Sequence, residues 1–438
     1  MQYIPDGTEI VLWGLGEIGS RVLAGEWGDY KISFAVDRNW MQKQEEIDHI
    51  GNTGNIAVYS PDVLEDMSLG NKVLVIGVYK WDEIAADLEK KGKHIFRDYV
   101  PYIYLKYEAL DIGFYKFCKD DDERKTLLKE LTFGKKLCAL YGACHTTVFK
   151  SQLLKSEEFT EKYCLLVIPP TNVYDHLYRD LLYKSYTYSD LDLLILSFIY
   201  PHTGEPPAPD WRTIKSWTDE KCKVILVTNA AFKGYFPQYT APIPETFDKI
   251  SRGDKNLNKL IREGKTADEI LHILSSPDFY SREMVNRYYE NALTNLEQME
   301  SACDVRIGDY IRKHGKQRRL MSDAAHPDGR LLKELTTRIF RKIGIDTKML
   351  VRTPESDFLI RGGVEAAFIY PSVYHALGMT EKEAGEKLCV GVDINVKLDF
   401  SEFIDLYVKI NRPYLCAESE TTVSSLPTNQ IELSEVGP

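Results

Sequence analysis

The sequence predicts an α/β protein with two parallel-sheet regions, and three observations predict it. Short apolar runs alternate with helically spaced segments between residues 9 and 227. The first run leads into Gly14-Leu15-Gly16-Glu17-Ile18-Gly19, a glycine-rich turn ahead of a helix. A later run, 137–141, stops at a second small-residue turn, Gly142-Ala143-Cys144-His145, again ahead of a helical segment. Strands that are apolar throughout are covered on both faces, and strands joined through helices lie parallel. In such sheets the turns after the strands line one carboxyl edge, where ligands and nucleophiles are held.

At 438 residues the chain exceeds one ordinary core, so two or three domains are expected. The balance of 55 basic against 66 acidic residues gives a net charge of −11, which argues against generic nucleic-acid binding. The eight cysteines form no CxxC pair, so neither a zinc site nor a disulfide framework is expected, and no metal is assigned. The N-terminus lacks the basic flank and apolar core of a signal peptide, and no apolar stretch approaches a membrane span. A cytoplasmic location is the expectation.

The first domain is read as residues 1–118. Strand 9–13 runs into the GxGxxG turn and then a helix; strand 32–36 ends in Asp37. Gly14, Gly16 and Gly19 would let backbone approach a pyrophosphate, and Asp37 stands where a ribose-binding carboxylate belongs. Further strands are expected at 56–59, 72–77 and 94–97, with a helix over 81–91. The stretch resembles the small Rossmann-like sugar-nucleotide or coenzyme-binding domains found beside polysaccharide-biosynthesis enzymes. That resemblance implies NAD or a sugar nucleotide as its ligand. The Ser-Tyr-Lys spacing of a short-chain dehydrogenase does not occur, and nothing catalytic is recognised there. The charged segment 119–134 reads as a linker or the start of a helix.

The second domain, 135–345, repeats the alternation with strands at 137–141, 163–168, 191–199 and 222–227. Residues after those strands would line one crevice: Cys144 and His145, Asn172, Tyr200 and His202, and Asn229. Residues 245–315 read as a helical insertion. The basic run 313–319 is either a solvated face or a holder of phosphate groups. Then Asp323 and His326, three apart, precede an amphipathic helix that ends on Gly344. An imidazole can take a proton from a hydroxyl or thiol, and a carboxylate fixes its tautomer and stabilises the imidazolium. That DxxH arrangement is the one by which SGNH-type esterases and acyltransferases supply their base. Residues 346–438 read as a C-terminal extension, with a polar tail from Ser424.

Residues 136 to about 345 resemble the WcbI-like polysaccharide biosynthesis family. The motifs that carry the resemblance are Tyr141-Gly142-Ala143-Cys144-His145, Phe232-Lys233-Gly234-Tyr235-Phe236-Pro237, and His326-Pro327 before the last helix. One departure is Ala143, where that family usually carries Asn; Asn229 or Asn172 would supply the oxyanion donor instead. The resemblance implies an SGNH-like three-layer α/β domain that binds coenzyme A and acts as an O-acetyltransferase. Acetyl-CoA would be the donor, and a sugar hydroxyl of a capsular or other surface polysaccharide precursor the acceptor. Cys144 then stands in the serine position, His326 is the general base and Asp323 orients it. Backbone N–H groups near Gly142 and Cys144 bind the oxyanion. Either Cys144 accepts the acetyl group, or His326 deprotonates the sugar hydroxyl for direct attack while Cys144 lines the pocket. His145 is a coenzyme contact or a buried turn residue, and Tyr235 is a wall of the acceptor or pantetheine site or part of the core. Two other functions were weighed: a nicotinamide-dependent sugar-nucleotide oxidoreductase, resting on GxGxxG and Asp37, and a noncatalytic scaffold of a glycan assembly cluster. A homo-oligomer is the further partner considered.

Overall fold

The structure is a computed structural model, and it describes residues 4, 7–26, 28–48, 56–66, 69–78, 80–95, 97–102, 105, 110–111, 118–167, 186–198, 210–247, 249–358, 366–379, 387–389 and 397–417. The chain divides into two units: Met1–Val227 with Gly344–Asp346, and Thr228–Ile343 with Thr347–Pro438.

The first unit holds two parallel sheets. In one, the strands β1 (Glu9–Trp13), β2 (Lys31–Val36), β3 (Val58–Tyr59), β4 (Val73–Ile76) and β5 (Tyr99–Pro101) lie in the order β3-β2-β1-β4-β5. This is the Rossmann-like order, with its switch point between β1 and β4. Ile10, Val11, Leu12, Ala35, Val36, Val75 and Ile76 are buried, as strands covered on both faces require. Of the strand expected at 94–97, the described residues show only an isolated bridge from Ile95 to Tyr99. The Asp98 carboxylate accepts the His94 N–H at 2.7 Å and Glu89 accepts that of Ile95 at 2.9 Å, so these amides are not available to a ladder. The strand forms just after it, where Tyr99 and Val100 are buried.

The other sheet comprises β6 (Leu110–Asp111), β7 (Lys136–Tyr141), β8 (Tyr163–Val167), β9 (Leu193–Ser197) and β10 (Lys223–Val227), in the order β10-β9-β7-β8-β6 and parallel throughout. Leu110–Asp111, assigned by sequence to the first domain, pairs with β8 and so belongs to this second sheet. The segment expected to link the domains carries the helix Asp121–Thr132. Its Arg124 is buried and paired with Asp190, so this helix is anchored in the unit.

The second unit is mainly helical. Arg282–Met299 buries Val285, Tyr289, Leu293 and Leu296, and it packs on Pro371–Leu377. Gly329–Ile343 buries Leu331, Leu332, Leu335, Ile339 and Phe340 on one stripe and stops at Gly344, whose φ of 78° ends a helix cheaply only for glycine. The C-terminal residues read as an extension are integral to this unit. The helix Phe400–Ala417 packs on Lys255–Arg262, and the buried Tyr407 hydroxyl donates to Asn258 at 2.8 Å. Among the described residues, no helix is long and apolar enough to cross a membrane.

Candidate active site

The glycine-rich turn after β1 has the backbone its motif requires. Gly14 has a φ of 95°, and a Cβ on Gly19 would fall 1.9 Å from the Gly14 carbonyl oxygen, so helix and turn close on each other only through glycine. Above Gly16 there is open space. Asp37, however, is engaged with its own corner. Its Oδ2 accepts the Leu15 N–H and its Oδ1 the Asn39 N–H, both at 2.8 Å. The carboxylate fastens the turn, a role that the ribose reading did not foresee.

The corner after β7 lies at the switch point of the second sheet, between β7 and β9. Gly142 passes so close to β9 that a Cβ there would sit 2.4 Å from Ser197 Oγ. His145 is buried, its Nε2 lies 2.9 Å from Ser197 Oγ, and its ring meets Phe149 edge-on at 5.3 Å. Thr146 Oγ1 donates to the Ala143 carbonyl at 2.8 Å, tightening the entry to the helix Thr146–Leu154. Cys144, like Ala143, is half-buried, whereas His145 braces the turn from within. Asn172, Tyr200 and His202 lie outside the described residues.

Asn229 and Tyr235 belong to the second unit. Asn229 is half-buried, and its carbonyl accepts the Ala231 N–H at 2.8 Å. Tyr235 is fully buried, donates its hydroxyl to the Gly315 carbonyl at 2.8 Å, and packs edge-on to Phe232 with Tyr289 beside it. Of the two readings of Tyr235, its burial fits the core residue. Phe232 and Tyr235 pack on each other and on Tyr289, whereas Phe236 also lines a small cavity.

Asp323 and His326 form the most organised polar cluster in that unit. Asp323 is fully buried; its Oδ1 accepts the backbone N–H groups of Ala325 at 2.7 Å and His326 at 2.8 Å. Its Oδ2 meets His326 Nδ1 and Arg252 Nε, each at 2.8 Å, and Arg252 Nη2 lies 3.3 Å from the same ring nitrogen. Burial pushes the Asp323 carboxyl up, but the hydrogen bond and charge of His326, joined by those of Arg252, hold it down at about 2. The loop is pinned by an antiparallel bridge between Met321 and Pro327, and Ser322 N–H donates to the His326 carbonyl at 2.8 Å. Arg319, the end of the basic run, donates to the carbonyls of Met321, Ser322 and Ala367. It braces this loop and presents no phosphate-holding face.

Residues 137–348 match the family model described as polysaccharide biosynthesis enzyme WcbI. Residues 137–348 are WcbI-like. A solved structure of WcbI has a TM-score of 0.54 at 16% identity, covering 65% of this chain and 92% of that one. That protein is described as a novel polysaccharide biosynthesis enzyme, in a native form without a disulfide bond between coenzyme A and one of its cysteines. A comparison with curated proteins gives no match.

Cys144, His145, Asp323 and His326 all fall within the WcbI-like region, the first two in the first unit and the others in the second. Arg252 lies within it too, and sequence reasoning missed it. Its neighbours in the chain, Ser251 and Gly253, carry no motif, and its contact with Asp323 spans 71 residues. No local signal in the WcbI-like region separates this arginine from those on the surface.

Proposed function

We propose that the protein is an acetyl-CoA-dependent O-acetyltransferase that acetylates a sugar hydroxyl of a bacterial capsular or surface polysaccharide precursor. The observation that carries the reading is the 2.8 Å contact of His326 Nδ1 with a fully buried Asp323 carboxylate that also meets Arg252. With Asp323 ionised, Nδ1 is the protonated ring nitrogen and Nε2 the one that takes a proton. In the reaction, His326 removes the proton from the sugar hydroxyl, and the oxygen attacks the thioester carbonyl. The new C–O bond forms, the C–S bond breaks, and the coenzyme thiolate leaves and receives the proton. The arrangement is SGNH-like in its use of an Asp-His pair. Cys144 is the proposed contact for the coenzyme thiol, supported by the likeness to a protein described with coenzyme A and a cysteine.

Thiol release from acetyl-CoA, followed against a panel of sugars, tests the reading. Release must require a sugar acceptor and vanish in His326→Ala, whose fold is checked by circular dichroism. Acceptor-dependent release that survives His326→Ala rejects it. Cys144 is tested by itself: the purified protein incubated with oxidised coenzyme A forms a mixed disulfide that Cys144→Ala abolishes.

A further inference from the structure

The basic run 313–319 leads into the Asp323 loop, and its charges are matched unevenly. Arg312, just ahead of it, meets Glu297 at 2.7 Å and Glu290 at 3.4 Å, and Lys316 meets Glu290 at 2.8 Å. Arg319 is bonded to the carbonyls of Met321, Ser322 and Ala367. Lys313 and Arg318 differ: among the described residues, neither forms an ion pair. Lys313 is exposed on the helix Gly308–His314, three residues from Tyr310 and next to His314, so it borders the face these two rings share. Arg318 is half-buried, and its guanidinium meets the His314 ring, Nη2 to Nδ1 at 3.4 Å. A guanidinium offers donors alone, so Nδ1 is the acceptor and Nε2 carries the hydrogen of a neutral imidazole. One long contact leaves most of the Arg318 N–H groups without a protein acceptor.

The acids around this face are already matched. The charges that act on the Tyr310 hydroxyl, whose ring lies 4.6 Å from that of His314, are Arg318 and Arg330 against Glu334 and Asp328. Glu334 is held by Arg338 at 2.7 Å and Asp328 by Arg330 at 2.8 Å. Lys313 and Arg318 are therefore a local positive excess in a chain of net charge −11. We infer that Arg318 and Lys313, with the N–H of His314 Nε2, hold a phosphate group. A phosphate has enough oxygens to accept from a guanidinium fork, an ammonium and an imidazole at once. The place is useful because Arg319, the next residue, braces the Met321 and Ser322 carbonyls, and the Asp328 N–H closes the same loop on the Leu320 carbonyl at 2.9 Å. A phosphate bound at Arg318 is thereby tied through the chain to the loop that carries His326. Two sources share this chemistry, a phosphorylated sugar and the phosphates of coenzyme A. Naming them rests on the transferase reading, whereas the anion site does not.

Isothermal titration calorimetry on the full chain, without turnover, tests this inference. Inorganic pyrophosphate is the general probe; glucose 1-phosphate against glucose, and coenzyme A against pantetheine, separate the sources. Pyrophosphate should bind, and bind more weakly as salt is raised, because one of the two cations is exposed. Arg318→Gln should weaken pyrophosphate by about tenfold or more, the scale of a charge-assisted hydrogen bond. Lys313→Gln should weaken it by roughly two- to threefold, as a solvent-screened charge does, and its exposed position keeps the test independent of folding. Glucose and pantetheine should be indifferent to both substitutions. Loss of glucose 1-phosphate affinity with coenzyme A unaffected supports the site and assigns it to the sugar, and the reverse result supports it and assigns it to the coenzyme. Pyrophosphate affinity that is unchanged in both variants overturns the inference, as does a parent protein that binds no pyrophosphate. Phosphate binding that depends on Arg318, with no thiol release under any condition, leaves the site standing and rejects only the transferase reading.

Discussion

Asp323 and Asp254 are the same acid, 0% and 6% exposed within one unit, and Arg252 is bonded to the first and stands two residues from the second. Burial pushes both carboxyls up. Asp323 accepts two backbone N–H groups and in addition meets an imidazole and a guanidinium at 2.8 Å, and the carboxyl ends at about 2. For Asp254 the partners are neutral donors: the Tyr370 hydroxyl at 2.7 Å and the backbone N–H groups of Asn256 and Leu257, which open the helix Lys255–Arg262. These limit the effect of burial without reversing it, and the carboxyl is pushed up to about 6. Depth therefore does not set the ionisation of these two carboxyls. The charge of the partners does, and only Asp323 is a permanent anion beside a group that can take a proton.

The comparison breaks most visibly at Asp323 itself. Asp323→Asn keeps the shape but removes the anion that fixes the His326 tautomer, so acceptor-dependent thiol release should fall by roughly 10⁴ in kcat/KM. A loss of less than about tenfold, with the variant folded, would detach Asp323 from the chemistry. Arg252 sharpens the same point from the cation side. Arg252→Met should lower kcat/KM by roughly ten- to a hundredfold, since one charge-assisted partner of the carboxylate is lost while His326 remains. The acid limb of the pH profile should also move up, because an imidazole protonates more easily without a fixed positive charge nearby. Arg252→Lys keeps the charge but not the fork, so it should restore the position of that limb and only part of the rate. Stopped assays across pH 5 to 8 separate these two effects.

The parallel character of the two sheets and the turns after β1 and β7 were legible in the sequence because apolar runs, glycine spacing and helical periodicity are local. The pairing of Asp323 with His326 was legible for the same reason, at a separation of three residues. What stayed hidden was nonlocal. Arg252 reaches Asp323 across 71 residues, and Gln238 reaches Phe368 across 130. Tyr235 stayed open between site wall and core because an aromatic in a turn looks alike whether its ring faces a ligand or Phe232 and Tyr289. The strand Leu110–Asp111 is too short to show a period, and the register with β8 that defines it is set by a partner distant in the chain. Asp37 holds the expected position, and its contacts with the Leu15 and Asn39 N–H groups, the first across 22 residues, add a turn-fastening role that the motif does not announce.

The smallest of these effects is the most direct reading of the comparison, because it needs no substrate. A carboxyl that titrates at about 6 when folded, against an ordinary 3.8, binds its proton more tightly in the native state. Its favourable contribution is complete below about pH 4 and is lost as pH rises through 6, roughly 3 kcal/mol in all. Asp254→Asn removes that dependence, so the variant should gain stability relative to the parent protein between pH 4 and pH 7. Asp323 has the opposite sign. Its contribution is present above about pH 4 and is lost as pH falls towards 2, by roughly 2 kcal/mol. Asp323→Asn should therefore lose stability relative to the parent at pH 5 to 7 and recover it at pH 2 to 3. Urea unfolding midpoints for the three proteins across pH 2 to 7 give both slopes at once. If the two substitutions tilt the stability profile in the same direction, partner charge is not what distinguishes the two acids, and Asp323 loses its claim to be the anion behind His326.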